Sequence, residues 1–167
     1  DVPEDKKKAA RYFKASALKG NDDAMFQYGL MLDEGNGIAI DKKEAIQYYK
    51  MAIEKGNGNA MYRYGLMLEK GDAVPVNKNE AFKYYKNGYE KKNDDCTYKY
   101  AIALLNGDGV PTDKNEGKRL IKALAEKGNP MAMNKYAVML FADSSVPKSE
   151  ALRYFKMAAD KGNKNAM

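Results

Sequence analysis

The chain repeats itself. Ala24-Met25-Phe26-Gln27-Tyr28-Gly29-Leu30-Met31-Leu32 returns 36 residues later as Ala60-Met61-Tyr62-Arg63-Tyr64-Gly65-Leu66-Met67-Leu68. A third copy begins at Cys96, a fourth at Ala132, and Asn165-Ala166-Met167 opens a fifth. The steps from Ala24 through Ala60 and Cys96 to Ala132 are 36 each, and the last, to Ala166, is 34. A period of this length with helical patterning specifies a solenoid, because one unit cannot bury its apolar side alone and must stack on its neighbours.

Within one unit, residues 23–58, a rotation of about 100° per residue puts Ala24, Tyr28, Met31 and Leu32 on one face of a first helix, helix A. Phe26, Leu30, Asp33 and Glu34 fall on the other. Gly35-Asn36-Gly37-Ile38 breaks the pattern, and Asp41-Lys42-Lys43-Glu44 restarts it as a capping box. Helix B then presents Ala45, Tyr48, Tyr49, Ala52 and Ile53 inward, and Lys55-Gly56 ends it. The unit is a helical hairpin. Asn77 with Glu80 and Asp113 with Glu116 start helix B in later copies, and Gly20, Gly128 and Gly162 end it.

Departures from the pattern carry expectations of their own. Lys92 replaces the terminating glycine and is expected to weaken that cap. Asp143-Ser144-Ser145-Val146 replaces the glycine loop in a shortened fourth copy, so a differently packed loop is expected there. Gly29, Gly65, Ala101 and Ala137 hold a small residue at one helix-A position. That implies a close helix contact, where leucine would not fit and alanine would.

With these residues in view, the chain resembles the Sel1-like repeats, relatives of the tetratricopeptide repeats with a longer unit. The resemblance rests on Tyr28-Gly29, the Gly35 to Ile38 loop, Asp41, Ala45, Tyr48-Tyr49, Ala52 and Gly56. It rests again on Gly107-Asp108-Gly109-Val110, Asp113, Ala125 and Gly128. It implies an all-α fold, a right-handed α-solenoid of antiparallel helix pairs with the A helices lining the concave side, and a scaffold or adaptor role. The expected organisation is a single array. Residues 1–22 are the helix B of a preceding unit, 23–58, 59–94, 95–130 and 131–164 are full repeats, and 165–167 start another. Because both ends fall inside a repeat, a longer parent protein is expected.

The chemistry-bearing residues exclude more than they suggest. There is no histidine and one cysteine, so an internal disulfide is impossible and the usual zinc sets are out of reach. This reads as an intracellular, reducing compartment, the cytoplasm being favoured. No cofactor is expected. Asp33 to Glu44 has the length of an EF-hand loop, but Gly35 and Gly37 stand where ligand oxygens are needed and Ile38 stands where glycine is. The G-x-G loops lack a preceding strand. No catalytic residue is assigned, because the recurrent glutamates already have a capping role, and Cys96 aligns with Ala24, Ala60 and Ala132 as a small core residue. An enzyme is not expected.

The net charge of +6 is not gathered in a basic tail: residues 23–58 carry four basic against six acidic groups, and every other block mixes both signs. Lys14, Lys50, Lys86, Lys122 and Lys156 form a ladder on helix B, but Glu54, Glu90, Glu126 and Asp160 lie four residues beyond four of them. A solvated face is therefore expected ahead of nucleic-acid binding. The partner-binding candidates are on helix A. Phe26, Tyr62 and Tyr98 share one repeat position, Leu30, Leu66, Ile102 and Val138 another, with Arg63, Lys99 and Lys135 alongside. If open, they form an aromatic and aliphatic strip edged with positive charge. Wheel geometry does not see neighbouring repeats, so an exposed strip and an inter-repeat core both remain open. The leading expectation is a non-enzymatic adaptor for a protein partner. The alternatives are a permanent structural component of a cytoskeletal or membrane-associated assembly, and a basic filament or nucleic-acid binder.

Overall fold

The computed structural model describes residues 4–162, which form nine α-helices and no strand. The expected starts of the chain at residues 1–3 and of a further repeat at 165–167 lie outside the described residues. The helices are α1 (Glu4–Leu18), α2 (Asp22–Glu34), α3 (Lys42–Glu54), α4 (Gly58–Lys70) and α5 (Lys78–Glu90). They continue as α6 (Asp94–Asn106), α7 (Lys114–Lys127), α8 (Pro130–Ala142) and α9 (Lys148–Asp160). The even-numbered helices are the A helices and the odd-numbered ones the B helices. Helices α2 and α3, α4 and α5, and α8 and α9 pack as hairpins, so the chain is an all-α solenoid of antiparallel helix pairs. It forms two compact units, residues 1–96 and 97–167, with the division inside α6.

Two kinds of cap set the helix boundaries. Helix B starts where Asp41, Asn77 or Asp113 accepts the backbone N–H of Glu44, Glu80 or Glu116, at 2.9, 3.1 and 3.0 Å. In α9 Pro147 takes that place and supplies no side-chain cap. Helix A starts on an asparagine in every repeat. The carboxamide oxygens of Asn21, Asn57, Asn93 and Asn129 accept the N–H of Ala24, Ala60, Cys96 and Ala132. These asparagines also stitch neighbours together. Buried Asn57 donates to Asp22 and Asp23 of the previous helix A at 3.1 and 3.0 Å, and Asn93 donates to Asn59 at 2.8 Å.

The loop signals are realised with their exceptions. The N–H groups of Asp41, Asn77 and Asp113 donate to the carbonyls of Leu32, Leu68 and Leu104, which folds each loop back on its helix A. Lys92 sits at φ 60°, the left-handed conformation that its glycine counterparts adopt without a Cβ penalty. In the shortened fourth repeat, α8 ends without a left-handed cap. Instead Asp143 accepts the N–H and hydroxyl of Ser145, and the Lys148 ammonium donates to the Phe141 carbonyl.

The core is broader than one stripe. Ala24, Tyr28, Met31 and Leu32 are buried as their phase requires, but so are Met25 and Phe26. In α3 Ile46 is buried and Ile53 half-buried, because α3 packs on α4 as well as on α2. Cys96 is fully buried beside Gly88. A Cβ built on Gly88 would lie 2.2 Å from the Cys96 sulfur, so the larger atom at 96 is accommodated by the missing one at 88. Burial, then Asp95, pushes the Cys96 thiol up to about 12, which removes thiolate character at neutral pH.

Candidate protein-interaction face

In the first unit the helix-A positions separate into covered and half-open ones. Phe26 is not open: its ring lies 6.0 Å from that of Tyr49, and it belongs to the hairpin core. The expectation of an exposed aromatic at this position is corrected by the reach of helix B, whose tyrosine covers it. Tyr62 is half-buried with its ring 6.5 Å from Tyr85, and burial together with Asp95 raises its phenol pKa. Leu30 and Leu66 are half-buried as well. Arg63 is ion-paired to Glu34 of the previous repeat, so the positive edge expected there is locally neutralised. Arg63 and Leu66 border a small recess of about 70 Å³ that Asp33, Lys70 and Asp72 also line.

Beneath this face runs a polar network that helix-wheel reasoning missed. The Tyr49 hydroxyl donates to Asp33 at 3.2 Å, and the Tyr85 hydroxyl donates to Glu69, 36 positions on from Asp33, at 2.7 Å. Lys42 donates to Asp72 at 2.5 Å and lies 3.9 Å from Asp33, which ties one loop to the next helix pair. The recurrence of Tyr49 and Tyr85 with an acid sixteen residues earlier was the available signal. Burial is the first cause and the carboxylate neighbour the next in raising both phenols well above the ordinary tyrosine range.

In the second unit Tyr98 packs against the cluster formed by α7, α8 and α9, and Lys99, Ile102 and Lys135 are half-buried. Val138 is 47% exposed, and Phe141, one turn along α8, is 53% exposed. Asn134 stands at the position of the aromatics. Its carboxamide oxygen is buried and has no hydrogen-bond partner among the described residues. Leu30, Tyr62, Arg63 and Leu66 are thus half-open on α2 and α4 of the first unit, and Ile102, Lys135 and Val138 are half-open or open on α6 and α8 of the second.

No group of three or more His, Cys, Asp or Glu side chains among the described residues is arranged to hold a metal ion, and no helix there is long and apolar enough to cross a membrane. What the geometry defines is a helical-repeat protein whose helix pairs present side chains on their surfaces. The chain belongs to the Sel1 repeat family, which matches residues 1–21, 22–57, 58–93, 94–129 and 130–163. Sel1 repeat proteins are in general protein-binding scaffolds without catalytic activity.

Among solved structures, the chain is similar to a Sel1 repeat protein from Oxalobacter formigenes, at 28% identity and a TM-score of 0.86 over 96% of this chain and 66% of that one. It is also similar in fold to a protective antigen of uropathogenic Escherichia coli, at 24% identity and TM-score 0.81, over 96% of this chain and 35% of that one. A third is Helicobacter pylori cysteine rich protein B, at 20% identity and TM-score 0.55, over 99% of this chain and 95% of that one. The chain therefore spans 66% and 35% of the length of the first two. Comparison with curated proteins found no match.

Proposed function

We propose that the chain is a non-enzymatic scaffold that captures a protein partner on its helix-A face, centred in the first unit on Leu30, Tyr62 and Leu66. One observation carries this reading. Met31 and Leu32 of α2 and Met67 and Leu68 of α4 are buried, yet Leu30 and Leu66 stay half-open one turn beyond Phe26 and Tyr62. Apolar groups kept at a surface in register are what a partner side chain can cover. The ion pair of Arg63 with Glu34 and the recess beside Leu66 supply polar groups at the rim of such a contact. On this reading Ile102, Lys99, Tyr98, Lys135 and Val138 offer the same kind of surface in the second unit.

The test is site-specific cross-linking. A photoreactive residue at position 66 should trap a defined partner, and one at position 50 on helix B should not. Leu66→Asp should then weaken binding of the purified partner by about 2 kcal/mol, the size of a hot spot, with the melting temperature held within about 2 °C. Tyr62→Ala is the poorer test, because Tyr62 also packs on Tyr85 and its loss costs stability. Trapping only from position 50 would refute the helix-A assignment.

A further inference from the structure

The helix-B lysine ladder has a local surrounding that sequence spacing does not show. The Lys14 ammonium lies 5.4 Å from the ring centre of Tyr28, and that of Lys50 lies 5.2 Å from Tyr64, so each lysine leans on the next repeat's helix A. Beside Lys14 this arrangement opens into a pocket of about 330 Å³ between α1, α2 and the 37–39 loop. Its walls are Ala10, Ile38 and the Tyr28 ring, its rim carries Lys7, Arg11 and Lys14, and no carboxylate lines it. Lys14 is 3.6 Å from Glu44, whereas Lys7 and Arg11 pair with no carboxylate among the described residues.

Two other places in the chain differ from this pocket in the residues they present. In the next repeat, the position of Ala10 is taken by the larger Ile46, which is buried. The corresponding recess beside α7, of about 420 Å³, is lined by Asp143 as well as by Lys118, and its other two cations are engaged, Arg119 with Glu116 at 2.6 Å and Lys122 with Glu126 at 3.8 Å. Helix α1 carries five cations against two acids, while α3 carries three against two. The face itself is one that stacking leaves open, because Lys43, Gln47 and Lys50, the α3 counterparts of Lys7, Arg11 and Lys14, are exposed although α3 packs on both α2 and α4.

We propose that the α1–α2 pocket binds an extended acidic peptide segment through two carboxylates at alternate positions. Lys7 and Arg11 are four residues apart on one helix face, an axial rise of about 6 Å. Alternate side chains on one side of an extended chain are spaced by about 6.6 Å. Carboxylates at positions one and three of the segment therefore meet Arg11 and Lys7. The guanidinium takes one of them in its planar fork. The side chain between them points away from α1, and the methylene stems of the two acidic side chains lie over Ala10 and Ile38. This site lies between α1 and α2 and uses none of Leu30, Tyr62 or Leu66, so it does not depend on the helix-A face proposed above.

The probe is a fluorescein-labelled pentapeptide with two aspartates flanking a central leucine, titrated in low salt by fluorescence anisotropy. The intact chain should bind it at one site. Arg11→Glu should weaken binding at least tenfold, and Ala10→Ile, which copies Ile46 and changes no charge, should do so as well, with circular dichroism showing both variants folded. A pentapeptide with asparagines for the aspartates should not bind, and Leu66→Asp should leave the titration unchanged. The proposal is overturned if the acidic probe does not bind or if folded Ala10→Ile binds it as the native chain does. It is equally overturned if a ten-nucleotide oligothymidylate binds more tightly through Arg11 than the peptide does.

Discussion

The hairpins of the first unit and those of the second solve one packing problem with opposite residues. In the first unit Gly29 and Gly65 on helix A make room for Tyr49 and Tyr85 of helix B, whose hydroxyls reach back to Asp33 and Glu69. In the second unit the matching helix-A residues are Ala101 and Ala137, the tyrosines become Ile121 and Phe155, and the acids become Leu105 and Phe141. Around α6 and α7 the gap is on helix B instead: a Cβ on Gly117 would lie 2.8 Å from Leu105 and 3.0 Å from the Ala101 carbonyl. In these hairpins one missing side chain makes the close contact, and either helix can supply it, whereas α8 and α9 pair with Ala137 and Ala151 at these positions. Where helix A supplies it, an aromatic hydroxyl enters and a buried polar bond becomes available. Where helix B supplies it, the contact is aliphatic.

The sharpest way to break the comparison is to move a residue from one unit's solution into the other's. Gly65→Ala imports the Ala101 solution, yet the new Cβ would lie 2.5 Å from Cε1 of Tyr85. Alanine's better helix propensity returns about 1 kcal/mol. The ring cannot retreat, since it is buried and held through its hydroxyl, so the substitution should still destabilise by about 1–3 kcal/mol. This corrects the expectation that alanine would be tolerated at position 65. Gly29→Ala should cost less, its nearest contact being 2.9 Å. Chemical denaturation of Gly65→Ala in a Tyr85→Ile background should show most of the penalty relieved, and an undiminished penalty would mean the tyrosine is not the obstacle.

A smaller effect should separate the hydroxyls from the rings. Tyr85→Phe keeps the packing and removes the 2.7 Å bond to Glu69, at a cost of about 1–2 kcal/mol. The same bond gives a pH signature. The folded-state pKa of Tyr85 is raised, by burial first, above the ordinary 10.0, so the folded chain holds its proton after the unfolded chain has released it. The contribution is complete below that value and is lost as pH rises through it, because the unfolded state then binds fewer protons. Melting temperatures measured from pH 8 upward should fall beyond about pH 10, and a Tyr49→Phe, Tyr85→Phe double variant should fall less steeply. Identical slopes would show that these two phenols are not the groups responsible.

The smallest change is at the turn after α5, where the first unit departs from its own rule. Lys92 holds φ 60° at a position where Gly20, Gly56, Gly128 and Gly162 have positive φ. Lys92→Gly should raise stability by about 1 kcal/mol, the strain of a side chain in that region, less what the more flexible unfolded chain takes back. A thermal melt that falls on this substitution would place the strain elsewhere.

Much of this protein is legible in its sequence for a physical reason: hairpin formation is local. The 36-residue period, the Asp41, Asn77 and Asp113 caps and the terminating glycines act within a few residues of themselves, and they recur often enough to be read against one another. The same locality made Lys92 and the loop after Phe141 recognisable as exceptions. The recurrent asparagines that open each described helix A are equally local signals, following the glycines at 20, 56 and 128.

What the sequence left undecided are contacts between elements that a helical wheel treats separately. Phe26 was placed on the outer face by its angle, and the structure buries it under Tyr49 because the second helix reaches around the first. Gly65 and Ala101 look interchangeable in an aligned repeat, yet a Cβ at 65 meets the Tyr85 ring, where the aligned helix-B residue of the next copy is Ile121. Arg63 reads as free positive charge until Glu34 of the preceding repeat is beside it. Lys14 reads as one rung of a uniform ladder, whereas Ala10 and Ile38 make its surroundings unlike those of Lys50. Period, caps and turns are set by residues near in the chain. Packing, charge neutralisation and pockets are set by residues that meet only when one hairpin closes and the next stacks on it, and those distances exist only in the tertiary structure.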